Sequence, residues 1–217
     1  MKSTYSKNKT TVLIPMRALN EGKSRLSNFL STSSRERLVE LLFKELLKKL
    51  NILRFQFPQI CSEIVVITPC KKVKKISKGF NAVVLEETTK NDLNSALSQG
   101  ISWASENAYD SSLIIPGDII DPNTEDIKKV IYLGNNTTEC MVICPASDFG
   151  TNALFLTLPT KLNLKFGPNS FFEHQREARK KSIKTIIAPL DSLKDDLDTG
   201  KDLETLKNKK PSLFKAI

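Results

Sequence analysis

Arg17, Lys23 and Arg25 place three cations within nine residues, just after the short apolar run 11–15 (TVLIP). A triphosphate needs such charges, together with backbone amides, to hold its oxygens. The run Asn20-Glu21-Gly22-Lys23-Ser24-Arg25-Leu26 is not a P-loop, because it has only one glycine. On spacing alone, an exposed basic loop carries equal weight. Asp118 follows a second apolar run, 113–115, directly after Pro116-Gly117. A carboxylate at the end of a strand is placed to hold a divalent cation such as magnesium, which takes one or two protein carboxylates plus phosphate oxygens. Taken alone, Pro-Gly-Asp reads first as turn chemistry. In Asp195-Asp196-Leu197-Asp198, the alternate carboxylates Asp196 and Asp198 face one side of an extended segment. Clustered acids repel unless a cation offsets them. One of the two is therefore expected as a ligand, while Asp198 could instead cap the helix that carries Leu203.

Two further segments suit anions. Gly150-Thr151-Asn152-Ala153 puts small and amide-bearing residues ahead of a strand. Phe166-Gly167-Pro168-Asn169-Ser170-Phe171 puts Ser170 at a helix start, where free amides and the helix dipole favour negative charge. A turn and a cap are the plainer readings. His174, the only histidine, reads as a packing or hydrogen-bonding residue rather than a catalyst. Asn94, in Asn91-Asp92-Leu93-Asn94-Ser95-Ala96-Leu97, could read a base edge or sit on a surface.

These residues need a scaffold, and the sequence describes one. Apolar strand patterns at 11–15, 63–68, 82–85, 113–115, 141–144, 153–158 and 185–188 alternate with amphipathic helices. Leu38, Leu42, Leu46 and Leu50 mark the first helix, opened by a capping box of Ser33 and Glu36. Leu93, Leu97 and Ile101 mark another, and a further helix runs from near Asn123 to Gly134. Ser170 with Glu173 forms a second capping box, for a helix ending near Lys181. This βαβα rhythm predicts an α/β fold, a mostly parallel Rossmann-like sheet with helices on both faces. Ligands of such sheets bind at the carboxyl ends of strands. Residues 1–10 are expected to be a flexible basic tail, and 11–217 a single domain.

The 217 residues are 40% hydrophobic and 26% charged, in the range of a soluble globular protein. The balance of 33 cations and 24 anions gives +9. The basic residues are scattered apart from Lys71-Lys72-Val73-Lys74-Lys75, which reads as a solvated helix start without aromatics for base stacking. Nucleic acid is not expected as the main partner. No apolar run reaches the roughly 18 residues of a membrane span, so no membrane partner and a cytoplasmic location are expected. Four cysteines without a CxxC pair, and one histidine, argue against a disulfide framework and a structural zinc site.

Together the segments resemble the 2-phospho-L-lactate guanylyltransferase family, which serves coenzyme F(420) biosynthesis. The resemblance runs from about Val12 to Leu206. It is carried by Lys23-Ser24-Arg25-Leu26, Asp92-Leu93-Asn94 with Ala96-Leu97, Gly150 to Leu154, Phe166-Gly167-Pro168 with Ser170-Phe171, and Asp196-Leu197-Asp198 before Asp202-Leu203. It implies a nucleotide-diphospho-sugar-transferase type of fold, related to the molybdenum-cofactor nucleotidyltransferases. It implies transfer of GMP from GTP to 2-phospho-L-lactate, phosphoenolpyruvate or a related phosphorylated three-carbon acid, with release of diphosphate. By the same resemblance Asp118 and Asp196, with Asp198 beside them, match magnesium ligands, and Lys23 and Arg25 match the triphosphate loop. Thr151, Gly167 and Ser170 match acceptor positions. Asn94, with Arg17 and Thr68, falls on the nucleotide side. A homodimer is left open. Two departures stand out. Gly117-Asp118-Ile119-Ile120 replaces the family's common Ala-Asp-Leu-Pro, and Ser147-Asp148-Phe149 precedes Gly150 where a further glycine is frequent. Rival readings are a nucleotidyltransferase moving CMP, AMP or a sugar nucleotide, a nucleotide sensor without turnover, and a basic nucleic-acid binder.

Overall fold

The computed structural model describes residues 8–19, 23–87 and 92–217. The stretch Asn20-Glu21-Gly22, Asn91 and the first seven residues of the expected tail lie outside the described residues.

The first strand, β1 (Thr10–Pro15), is buried on both faces, as its unbroken apolar run requires. Val12 and Ile14 enter one core while Leu13 enters the other. Around it the chain adds α1 (Thr32–Gln56), β2 (Glu63–Ile67), α2 (Lys71–Gly79), β3 (Val83–Leu85), α3 (Leu93–Glu106) and β4 (Ser111–Ile114). There follow α4 (Thr124–Asn135), β5 (Cys140–Pro145), β6 (Thr151–Thr157), α5 (Ser170–Lys180), β7 (Lys184–Ile187) and α6 (Gly200–Lys209). The seven strands form one sheet in the order β3-β2-β1-β4-β6-β5-β7. Every pairing is parallel except those of β6, which runs antiparallel to both β4 and β5. The expected mostly parallel sheet with two covered faces is present. One face packs α1, α4 and α6 around Phe43 and Phe155, and the other packs α3 and α5 around Leu97 and Ala178. Leu38, Leu42, Leu46 and Leu50 all point into the first core. All four cysteines are free. No helix among the described residues is long and apolar enough to cross a membrane.

Three cap assignments change. Ser31, not Ser33, caps α1, its hydroxyl accepting from Ser34 N–H at 3.1 Å. Four adjacent hydroxyl residues, Ser31 to Ser34, offer several registers, and the helix takes the earliest. Glu36 is free to pair with Lys72 at 2.8 Å. Asn169, in a left-handed conformation at φ 57°, precedes α5, so Ser170 is its first helical residue rather than its cap. Glu173 pairs with Arg176 at 3.0 Å. Thr199, with Asp202 completing a capping box, caps α6, which leaves the Asp198 side chain uncommitted to the helix.

Gly134, near the end of α4, lies flat against the Phe155 ring of β6, and a Cβ there would fall inside that ring's van der Waals envelope. Gly134→Ala is therefore expected to destabilise the protein by about 1–3 kcal/mol through overpacking. Urea denaturation measures this, and an unchanged midpoint would show that the ring moves aside freely.

Candidate active site

β1 and β4 are neighbours at the point where the strand order reverses, with β2 and β3 on one side and β6, β5 and β7 on the other. Doubly wound sheets open their ligand crevice there, at the carboxyl ends of the strands. The loop after β1 carries Lys23 and the loop after β4 carries Asp118. A later segment returns beside the second loop. Ile119 and Asp196 form an antiparallel bridge, Leu197 N–H donates to Asp118 O at 3.2 Å, and Ile120 N–H donates to Asp195 O at 3.0 Å. Backbone pairing thus brings together aspartates that lie far apart in sequence. Carboxylate oxygens of Asp118, Asp196 and Asp198 converge within 4.8 Å of one another.

Three anions so close need a counter-charge. Lys23 supplies it. Its backbone is left-handed at φ 54°, where it opens a single 3-10 turn (Ser24–Leu26) anchored by the fully buried Leu26. From there Nζ donates to both Asp118 and Asp198. Burial pulls the Lys23 pKa down, but the two carboxylates more than reverse this, and the ammonium is held above the usual lysine range. Asp196 is pushed up to about 7, first by burial and then by the charges of Asp118 and Asp198, with Lys23 and Asn152 offsetting part of the rise. Asn152 Nδ2 donates to Asp196 Oδ1 at 3.3 Å. With all three acids ionised, the cluster and Lys23 carry a net charge of −3 + 1 = −2. The donor set is all carboxylate oxygen, which suits a hard divalent cation. Asp198, whose side chain is 46% exposed against 15% for Asp118, forms the open side of the cluster.

Two cavities meet here. One, of about 530 Å³, is lined by Arg17, Lys23, Glu87 and Asp118. The other, of about 460 Å³, is lined by Arg25, Asp148, Thr151, Gly167 and Ser170. Asp196 and Asp198 belong to both walls. Most of the residues expected from sequence therefore stand around one crevice. Thr68 does not. It is fully buried at the end of β2, in neither wall, and its hydroxyl accepts from Cys70 N–H at 3.1 Å. Asn94 is in neither wall either. Its Oδ1 accepts from Phe166 N–H at 2.7 Å and its Nδ2 donates to Phe166 O at 3.0 Å, clamping the segment that carries Gly167. Sequence reasoning passed over Glu87, which stands just beyond β3 with one carboxylate oxygen buried and without a partner among the described residues. Its position after a strand end was the available signal.

The wall that carries Thr151 and Ser170 rests on a neutral network. Ser170 Oγ donates to Thr151 Oγ1 at 3.0 Å, and Thr151 Oγ1 lies 3.1 Å from His174 Nδ1. Lys165 N–H donates to His174 Nε2 at 3.0 Å. His174 is fully buried, as its packing reading implied. Burial lowers its pKa to about 4, against a smaller upward pull from the Ser170 carbonyl, so the ring is neutral near pH 7.

Comparison with known proteins gives the family and the fold. A family-wide sequence profile described as "Guanylyl transferase CofC like" matches residues 10–207. A 3-phospho-D-glycerate guanylyltransferase of Colwellia psychrerythraea is 32% identical over 198 residues, covering 91% of each chain. A 2-phospho-L-lactate guanylyltransferase of Methanothermobacter thermautotrophicus is 31% identical, covering 90% of this chain and 82% of its own. Among solved structures, a candidate nucleotide-diphospho-sugar transferase of Desulfovibrio desulfuricans superposes with a TM-score of 0.71 at 14% identity, covering 96% of this chain and 98% of that one. That likeness establishes the nucleotide-diphospho-sugar transferase fold.

Because Asp196 titrates near 7, it carries a proton below that pH and must release it to join a cation. Affinity for Mn²⁺, measured by titration calorimetry, is expected to fall as the pH drops from about 8 to about 6, following the raised carboxylate pKa. Asp196→Asn should weaken binding at the upper pH and remove most of the dependence. A pH-independent wild-type affinity would take Asp196 out of the cation site.

Proposed function

The chain belongs to the CofC-like guanylyl transferase family, and on that premise we propose that it joins GMP from GTP to a phosphorylated three-carbon acid, releasing diphosphate. The observation that carries this reading is the pair of cavities sharing Asp196 and Asp198. A transferase must hold donor and acceptor on either side of the reacting phosphorus, and two cavities that share a carboxylate edge support that division.

The cavity with Arg17, Lys23 and Glu87 takes GTP. Lys23, joined from the facing wall by Arg25, offsets the triphosphate charge and that of the departing diphosphate. Glu87 supports guanine. The base presents adjacent N1–H and N2–H donors, and a carboxylate only accepts. Asp118, Asp196 and Asp198 would hold a magnesium ion, whose positive charge would neutralise phosphate oxygens at the reaction centre. Thr151, Gly167 and Ser170 hold the acceptor against the first turn of α5, where helix amides and dipole favour an anion. An acceptor phosphate oxygen attacks the α-phosphorus in line. That oxygen is already anionic, so the step needs no general base, consistent with a neutral His174 as the only histidine.

Asp148 supports a finer reading of the acceptor. Its carboxylate accepts from Gly150 N–H at 2.8 Å and stands in the acceptor wall. An acid there disfavours a nearby acceptor carboxylate but accepts from a hydroxyl. This favours a hydroxylated acid of the 3-phosphoglycerate type over 2-phospho-L-lactate or phosphoenolpyruvate, which have no free hydroxyl. 2-Phospho-L-lactate, the acceptor implied by the resemblance to the coenzyme F(420) enzymes, is the second reading.

Diphosphate release from GTP, screened against these three acids, tests both readings. Turnover with another nucleotide alone would overturn the guanylyl assignment, and a preference for 2-phospho-L-lactate would overturn the role of Asp148. Asp118→Asn should lower turnover about 100- to 1,000-fold with the fold intact, and near-normal turnover would remove Asp118 from the reaction. Glu87→Gln should reduce the preference for GTP over ITP about 10-fold or more, the worth of a charge-assisted hydrogen bond. An unchanged preference would place guanine recognition elsewhere.

A further inference from the structure

The partners of the Thr151 hydroxyl determine where its proton goes. A backbone amide sets the direction of the whole network. Lys165 N–H can only donate, so His174 Nε2, 3.0 Å away, must accept and carries no proton. The ring is neutral, so its one proton sits on Nδ1. Nδ1–H faces Thr151 Oγ1 at 3.1 Å, with the Ser170 carbonyl also against the ring. Thr151 therefore cannot donate to His174. Nor can it donate to Ser170, because Ser170 Oγ–H already donates to Thr151 Oγ1 at 3.0 Å. The Thr151 proton is left without an acceptor among the described residues. Thr151 is 7% exposed, and it lines the acceptor cavity.

We infer that His174 is a positioning residue: its fixed tautomer turns the Thr151 hydroxyl proton into the cavity and commits Thr151 to donate to an anionic oxygen of the bound acid. The ring cannot easily rotate out of this role. Phe166 packs against it edge-on, with centroids 4.8 Å apart and planes at 73°, and Asn94 clamps the Phe166 backbone from the other side. The network is thus polarised from the Lys165 amide outward, and its last proton points at the ligand. A hydroxyl free to rotate could accept as readily as donate. One with both acceptor positions filled favours an anion and rejects a donor.

The identity of the ligand rests on the proposed transferase reading, while the direction of the hydrogen bonds does not. The experiment separates the two. The chain's single histidine gives an unambiguous ring signal. In ¹⁵N-resolved NMR of the wild-type protein, Nδ1 should appear protonated and Nε2 unprotonated, and addition of 3-phospho-D-glycerate, 2-phospho-L-lactate or inorganic phosphate should shift the Nδ1 signal without changing the tautomer. In steady-state assays His174→Phe should raise KM for the acceptor acid about 10-fold or more, the range of one hydrogen bond to a charged group, with kcat and KM for GTP nearly unchanged. His174→Asn, which keeps a donor near the Nδ1 position, should recover much of that loss. Thr151→Val should match His174→Phe, and the double variant should be no worse than Thr151→Val alone. A protonated Nε2, additive losses, or equal losses for both substrates would overturn the inference. The wild-type spectrum decides the tautomer even where a buried variant fails to fold. Absence of any turnover with Nδ1 protonated would remove the transferase reading and leave the polarity of the network standing.

Discussion

Repulsion among Asp118, Asp196 and Asp198 is the constraint on which the rest of the site depends. Three carboxylates within 4.8 Å do not assemble unaided. Backbone pairing of Ile119 with Asp196 brings two of them together, and the ammonium of Lys23 holds Asp118 and Asp198 together. The left-handed backbone at Lys23, a strained conformation for a residue with a Cβ, opens the 3-10 turn from which this ammonium reaches both carboxylates. Even so the charge is not fully balanced. Burial first, and then the charges of Asp118 and Asp198, raise the Asp196 pKa to about 7, so the site binds either a proton or a cation.

The antiparallel strand β6 explains how a second wall reaches the same place. In a parallel sheet only residues that follow strands meet at the ligand edge. Reversing β6 puts its first residues beside the carboxyl end of β4, with Ile114 paired to Leu154. Thr151 and Asn152, which open the strand, therefore face the crevice, Thr151 in the wall it shares with Ser170 and Asn152 on Asp196. A purely parallel sheet would carry them to the opposite end of the molecule.

This arrangement also marks how far the sequence could be read. Strands and helices are legible because period and composition are local, while Asp118, Asp196 and Asp198 read as turn or cap residues too until the family resemblance singles them out. The caps were not, since Ser31 to Ser34 offer nearly equal choices that only tertiary packing separates. Asn94 reads as a base contact until its partner is known, and that partner, Phe166, lies 72 residues away. Thr68 stands at a strand end like the others, but its hydroxyl closes a local turn with Cys70 rather than facing the crevice. His174 was correctly legible as a buried hydrogen-bonding residue, yet the direction of those bonds depends on an amide and a strand that no local pattern connects to it.

The two walls differ in kind, and the difference fits the proposed reaction. Around the donor cavity the chain places full charges, Arg17 and Lys23. Apart from Arg25, the wall proposed for the acceptor offers neutral donors, the Thr151 hydroxyl and the amides that open α5. A cation close to the attacking phosphate oxygen would hold its charge tightly and blunt it as a nucleophile. Neutral hydrogen bonds fix the acid in place while withdrawing less of that charge, and they act only at short range and in particular directions. Cations on the other side stabilise the diphosphate as its charge develops. On the proposed reading the chain keeps its positive charge for the leaving group and its directional contacts for the nucleophile, which is the division that a transfer between two anions requires.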